Sequence, residues 1–460
     1  MKKLLIIALT FILFIPLNHS RNIVDIPENL PSKEDVVAFI NEIGNRMSKE
    51  KFFLNGNVIL ELAILTGKID YFMNDSIWLE EALMEFYNAT GVDYEESKVN
   101  EFVLNLPFTT EERCAIALIL LSYSSALKAD SKEGKIEGIM ATIDAVRKAS
   151  PLLSSINMDY TKEGPYKKII FGGNGSSVYN SINSFIIDFG GNDIYEAGNS
   201  AFILDIDGKD IYRNRDSLEG ITMLFDLKGD DKYIDCPISH QSFFLLFDLE
   251  GYDEYNGRIC SSYENGTAIL IDMEGNDIYD GKNYTQSFSS YGISFLIDVK
   301  GDDTYSALSY SQCSSLAGLA VLADLYGNDV FIAGDRSQAF ASGGGKNGVA
   351  LLINLEGDDF YEAGNFSQGY GENLGFGFLL DFIGEDSYRA KQFCQASASL
   401  LGIAVLMDGE GDNKFSHGFF SQGYKIGGMS FFMNRFEIRG NEEILQILDN
   451  LQSYFGKFFS

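Results

Sequence analysis

The sequence predicts an α+β protein: an N-terminal helical bundle, then a parallel β-solenoid of about ten coils, then a C-terminal capping helix. Three observations carry that prediction. Capped helical segments fill the first third of the 460-residue chain. A motif, D-x-x-G-x-D-x-aromatic, then returns ten times between residues 182 and 434. A row of glutamines repeats at the same intervals as the acids of that motif.

The chain opens MKKLLIIALTFILFIPLNHS. Lys2 and Lys3 precede a short apolar run, Leu4 to Leu17, and Ser20 is a small residue suited to cleavage. Residues 1–20 therefore read as a secretory signal peptide, with an uncleaved anchor as the alternative because Asn18 is atypical near a cleavage site. The expected location is secreted, periplasmic or cell-surface. No other run is long and uncharged enough to be a transmembrane helix.

Residues 21–155 read as a helical domain. Ser32 with Asp35 has capping-box spacing before VVAFINEIGNRM. Asp75 or Ser76 can cap IWLEEALMEFYNAT, which stops at Gly91. Thr109 with Glu112 forms a second capping box before RCAIALILLSYSSALKA, a segment apolar nearly all round and suited to the centre of a bundle. A last helix, about 135–149, is expected to end before Pro151. Residues 156–181 form a transition segment.

Residues 182–434 hold the repeats. The first acid is Asp188, Asp205, Asp226, Asp248, Asp272, Asp298, Asp324, Asn354, Asp381 and Asp408. A glycine follows three residues later in all ten copies, from Gly191 to Gly411. The second acid is Asp193, Asp210, Asp231, Asp253, Asp277, Asp303, Asp329, Asp359 and Asp386, with Asn413 in the tenth copy. An aromatic residue comes two places on, from Tyr195 to Phe415, and is Tyr in all but Phe331 and Phe415. Intervals between first acids grow from 17 to 30 residues and settle at 27. Gln286, Gln312, Gln338, Gln368, Gln395 and Gln422 keep step with the longer copies. An aromatic usually stands two places before each glutamine, and Arg336 breaks that column.

One such repeat cannot bury its own apolar face, but stacked copies can. Stacking with strands ~4.8 Å apart gives a parallel solenoid whose coils widen toward the C-terminus. A propeller needs about 40 residues per blade, more than these intervals supply. The unvarying glycine implies either φ > 0 or close approach of backbone. The strand before the first acid is apolar on both faces, so its outer side needs a cover: the helical domain, a partner copy, a ligand or the coil's own loops. Residues 435–460 carry an apolar stripe (Ile444, Leu445, Ile447, Leu448, Leu451, Phe455, Phe458) that suits a capping helix.

Composition narrows the function. Net charge is −31, and loss of residues 1–20 removes Lys2 and Lys3 to leave −33. So acidic a chain does not grip a phosphate backbone, which excludes nucleic acid as a partner. Five scattered cysteines form neither a disulfide framework nor a zinc motif, although Cys236 and Cys260 occupy similar places in consecutive repeats. Only His240 and His417 remain after cleavage, which excludes histidine-rich metal sites.

Stacked aspartates raise a physical problem. Like charges ~4.8 Å apart repel by ~0.9 kcal/mol in water and ~3.5 kcal/mol at an effective dielectric of 20. Two solutions exist: turns in which each carboxylate accepts backbone N–H groups, or hard cations held by the carboxylates. GGNDIY (190–195), GNDIY (275–279) and GDDTY (301–305) resemble the G-x-D-x-hydrophobic half of the RTX calcium-binding β-roll repeat. The likeness covers about five residues per repeat, and the second Gly-Gly of the family motif is present only at Gly190–Gly191. It implies Ca²⁺ as a cofactor, with Asp193, Asp210, Asp231, Asp253, Asp277, Asp303, Asp329, Asp359 and Asp386 as ligands. No catalytic residue is expected. The leading expectation is a non-enzymatic secreted or surface scaffold, stabilised by calcium, for a protein or polysaccharide partner. The alternatives are a polysaccharide lyase or hydrolase on a β-helix, and a self-assembling surface-layer or fibre component that associates through an apolar sheet face. For the enzyme, the residues that break the pattern are Arg213, Arg215, Arg258, Arg336, Arg389, Lys391 and His417.

Overall fold

The computed structural model describes residues 78–180, 184–214, 217–344 and 348–434. The segments read as a signal peptide and as a C-terminal capping helix, the expected caps at Ser32 and at Asp75 or Ser76, and Arg215 lie outside the described residues. The chain divides into a helical unit, which runs to residue 156 and takes in 164–166, and a solenoid unit made of 157–163 and the residues from 167 onward.

Among the described residues the helical unit has α1 (Trp78–Thr90), α2 (Glu96–Leu104), α3 (Thr110–Lys128) and α4 (Lys132–Leu153). The capping box predicted at the start of α3 is present: the Glu112 N–H donates to Thr109 Oγ1, and Glu112 Oε2 accepts the Thr109 N–H at 2.7 Å. α3 packs on both α1 and α4 and buries Ile116, Ile119, Leu120 and Tyr123, as a central helix should. Each such side chain contributes about 1.5–3 kcal/mol by leaving water. α4 corrects one expectation, because it runs through Pro151 to Leu153. Only its last turn follows the ring, so the lost N–H removes a single ladder bond. α2 was not expected; its sequence, ESKVNEFVL, buries only Val99, Phe102 and Val103.

The solenoid has three walls. The first is a 13-stranded sheet in which an antiparallel strand, Lys162–Glu163, is followed by twelve parallel strands from Ile169–Phe171 to Met429–Asn434. The second has eleven strands, Val178–Asn180 to Lys414–Ser416, and the third has nine, Ser217–Leu218 to Lys425–Ile426. These numbers bracket the ten coils expected. Register is one motif per coil: Asp226 pairs with Asp248, then Asp272, Asp298 and Asp324. The tyrosines pair likewise along the second wall, Tyr212 with Tyr233, Tyr255, Tyr279 and Tyr305. Widening has a concrete cause. The earliest coil, 17 residues between first acids, has two walls, and among the described residues the third wall begins at Ser217.

Alternation along the first wall sets the interior. Leu224, Leu246, Leu270, Leu296, Leu322, Leu352, Leu379 and Leu406, each two residues before the first acid, form one core with the tyrosine column. Four residues before the acid the side chain is usually small because the third wall lies against it: a Cβ on Gly377 would fall 2.3 Å from the Tyr370 carbonyl oxygen. Most of the outward set is buried as well (Phe225, Ile297 and Ile353 are at most 3 % exposed), while Phe247, Ile269 and Met407 are half-buried. The second apolar face is therefore largely covered within a single chain.

Candidate functional site: the buried acid rows

The ten glycines explain the tightness of the acid turn. A Cβ on Gly208 would fall 2.4 Å from the Gly191 carbonyl oxygen and 2.3 Å from Asp210 Oδ2, and later copies are tighter, 1.5 Å at Gly357. Close approach of successive coils is the general requirement. Positive φ is confined to a minority of these glycines, among them Gly191 and Gly411. The narrow turn swings both aspartates inward. The first row is fully buried and the second row only 1–2 % exposed.

Second-row carboxylates form a ladder with the backbone. Oδ1 of each accepts the N–H of its counterpart one coil earlier, as in Asp231 N–H to Asp253 (2.6 Å), Asp253 to Asp277 (2.6 Å), Asp303 to Asp329 (2.8 Å) and Asp359 to Asp386 (2.9 Å). This is the backbone-turn solution in a form that spans coils. It satisfies half of each carboxylate. Oδ2 of Asp193, Asp210, Asp231, Asp253, Asp277, Asp303, Asp329, Asp359 and Asp386 is buried and has no hydrogen-bond partner. All nine residues named from the sequence thus share one orphaned oxygen.

First-row acids meet the tyrosines. Each hydroxyl donates to the acid one coil on: Tyr195 to Asp205, Tyr212 to Asp226, Tyr233 to Asp248, Tyr255 to Asp272 (2.6 Å), Tyr279 to Asp298 (2.6 Å), Tyr305 to Asp324 (2.8 Å) and Tyr361 to Asp381 (2.8 Å). Tyr388 instead donates to Asp381 of its own coil at 2.8 Å. The rings stack on one another at 4.5–4.9 Å from Tyr195 to Phe415. Phe331 and Phe415 cannot donate, and the residues they address, one coil beyond Asp324 and Asp408, are Asn354 and Asn434. Hydroxyl and carboxylate are lost together. That coupling is visible in the sequence, and reading each column separately missed it.

The two rows converge. Carboxylates of Asp231, Asp248 and Asp253 have ligating atoms within 4.8 Å of one another, as do Asp253, Asp272 and Asp277, and Asp277, Asp298 and Asp303. Each group joins both acids of one coil to the second acid of the coil before, so neighbouring groups share an aspartate. Among the described residues no Lys, Arg or His is buried to balance them. Burial, reinforced by the neighbouring carboxylates, pushes their proton affinities up: Asp193, Asp277 and Asp329 to about 7, Asp210 and Asp253 to about 8, Asp231 and Asp386 to about 9. Buried uncompensated charge of this kind requires protons or cations. An all-oxygen, carboxylate-rich donor set aimed at one point suits a hard divalent ion.

The glutamines and two of the pattern-breakers, Arg336 and Arg389, have partners within the coil walls. Gln338 Nε2 donates to Gln312 Oε1 (3.0 Å), and Gln368 Nε2 to Gln338 Oε1 (3.1 Å), an amide ladder through three of the six glutamines; Gln286 donates to the Tyr279 and Ser306 carbonyls instead, and Gln395 to that of Ser416. The ladder pins a corner where Gln338, Arg336 and Ala339 all have left-handed φ, near 50–65°. Arg336 fills the outer aromatic column rather than breaking it, its guanidinium 5.5 Å from the Tyr310 ring and 5.0 Å from Phe366. Arg389 pairs with Glu362 at 3.0 Å and lies over Phe360. Arg389 and Lys391 stand on the coil next to that of His417, where Ser416 pairs with Arg389 and the Gly418 N–H donates to the Lys391 carbonyl. Cys236 and Cys260 do not pair; they are free thiols, as are Cys313 and Cys394. Among the described residues no helix is long and apolar enough to cross a membrane. The chain matches no protein-family model, no curated protein and no solved structure.

Proposed function

We propose that this chain is a non-enzymatic, secreted or surface-exposed scaffold whose interior acid rows are neutralised by calcium. One observation carries the reading: the repeated acids are buried and gather in groups of three carboxylates, and one oxygen of every second-row aspartate has no hydrogen-bond partner. Side chains sealed from solvent cannot act on a polymer outside, so their repetition serves the fold. In this reading Asp253, Asp272 and Asp277, and their equivalents along the rows, hold the ion, and the outer surface meets a protein or polysaccharide partner. Ions bound to the native state alone stabilise it by mass action.

The test is thermal unfolding of the mature chain in calcium and in chelator, together with a panel of polysaccharides incubated in calcium. The expected result is a higher midpoint in calcium and no turnover. Turnover of any polysaccharide removes the scaffold reading. A midpoint indifferent to chelator removes calcium and leaves the acids holding protons.

A further inference from the structure

The acid turns have an outer side as well as an inner one. One residue stands between the repeated glycine and the second acid, and in nine of the ten copies it is Asn, Asp, Glu or Lys. These residues bond from coil to coil: Lys209 Nζ pairs with Asp230, the Asp302 N–H donates to Asn276 Oδ1 (3.0 Å), and the Asn328 N–H to Asp302 Oδ1 (2.8 Å). The fourth copy has Tyr252 instead. Its side chain is 67 % exposed, and among the described residues its ring stacks on no other ring.

Tyr252 stands in a groove of about 530 Å³ that crosses five coils, from Asp207 to Gly301, a size that suits a small ligand or a short run of a polymer. With strands ~4.8 Å apart, four steps make it ~19 Å long. The glycines of all five turns line it. They have no side chain to fill it and accept none: a Cβ on Gly229, Gly251 or Gly301 would fall 2.1–2.3 Å from the glycine carbonyl oxygen one coil back. The charged groups of the groove are three lysines, Lys209, Lys228 and Lys300, and four carboxylates, Asp230, Glu250 and Glu274 among them. Each lysine faces a carboxylate of a neighbouring coil: Lys209 meets Asp230, Lys300 meets Glu274 at 3.2 Å and Lys228 meets Glu250 at 4.0 Å. The groove is thus close to neutral in a chain of net charge −31.

We propose that this groove binds a neutral polysaccharide, with one sugar ring laid on Tyr252. The proposal rests on the scaffold reading above and gives that scaffold its partner. Chemistry selects the class. A sugar ring joins an apolar face to a rim of hydroxyls that both donate and accept. The groove offers one aromatic ring among lysine donors, carboxylate acceptors and the Asn276 amide. A polyanion needs unpaired cations, and these lysines are paired. A polycation finds more acid farther along the same column, at Asp302, Asp358, Glu385 and Asp412. An extended peptide is held by an open strand edge or by apolar pockets, and Tyr252 is the only apolar side chain that lines the groove.

Affinity electrophoresis of the mature chain in calcium tests this, in gels that contain dextran, β-1,3-glucan, mannan or galactan, with polygalacturonate as the anionic control. At least one neutral polymer should retard the chain, and polygalacturonate should not. Tyr252→Ala should weaken the retention about tenfold and Tyr252→Trp should keep it. Neither should move the unfolding midpoint, since the side chain is exposed. Retention by polygalacturonate alone overturns the proposal. No retention by any neutral polymer overturns it too, and leaves the scaffold with a protein partner. A Tyr252→Ala chain held as strongly as its parent overturns the groove as the site and leaves the scaffold reading standing. Cleavage of the retained polymer counts against the scaffold reading and not against the groove, so the two fail separately.

Discussion

At the residue scale the tyrosine–aspartate pair is the unit of the interior. A hydroxyl donating to a carboxylate is a charge-assisted bond inside a dry stack, where removing one partner strands the other. Tyr255→Phe leaves Asp272 Oδ2 without its 2.6 Å donor. It should lower stability by about 1–3 kcal/mol in chemical denaturation. Adding Asp272→Asn should return part of that loss, because the chain already pairs Phe331 with Asn354 and Phe415 with Asn434. Strictly additive losses would mean that the pairing of substitutions in the sequence has no energetic basis.

At the scale of the element the acid turn is set by the distance between coils. The Gly384 Cα faces the Gly357 carbonyl so closely that a Cβ would fall 1.7 Å from that oxygen, with Asp386 Oδ1 2.7 Å away. Backbone on one side and a buried carboxylate on the other leave little to yield. Gly384→Ala should therefore separate two coils and cost more than about 3 kcal/mol, read as a lower denaturation midpoint or loss of soluble protein. Glycine in every copy was legible as a constraint, though not as this one, since a sequence does not say whether φ or contact forbids a side chain. The solenoid itself was legible because ten copies held one acid, one glycine and one aromatic in step. α2 was not, since ESKVNEFVL is mostly polar and takes its place through packing. The nine second-row aspartates were found as a column, but their orphaned oxygens were not, because only the coordinates separate Oδ1 in the backbone ladder from Oδ2. Reading Arg336 as an interruption failed for a related reason: a planar guanidinium stacks as a ring does.

At the scale of the whole molecule the acid rows make stability depend on pH, and the sign depends on what neutralises them. Burial raises the folded-state pKa of Asp193 to about 7, Asp253 to about 8 and Asp231 to about 9, well above the ~3.9 of an unfolded aspartate. Without cations the native chain then holds more protons than the unfolded one. The stabilising contribution of those protons is complete below pH ~4 and is lost as pH rises through 7 to 9. In chelator the unfolding midpoint should accordingly fall between pH 5 and pH 8. Calcium needs the ionised carboxylates and competes with the same protons, so its stabilising effect should grow over that interval. The gap between calcium and chelator should be small at pH 5 and wide at pH 8, measured by thermal unfolding at fixed ionic strength. Parallel curves in the two media would mean that no cation enters the rows. A midpoint in chelator that rises with pH would mean that the carboxylates are ionised without one, and that the repulsion between coils is met by something other than protons.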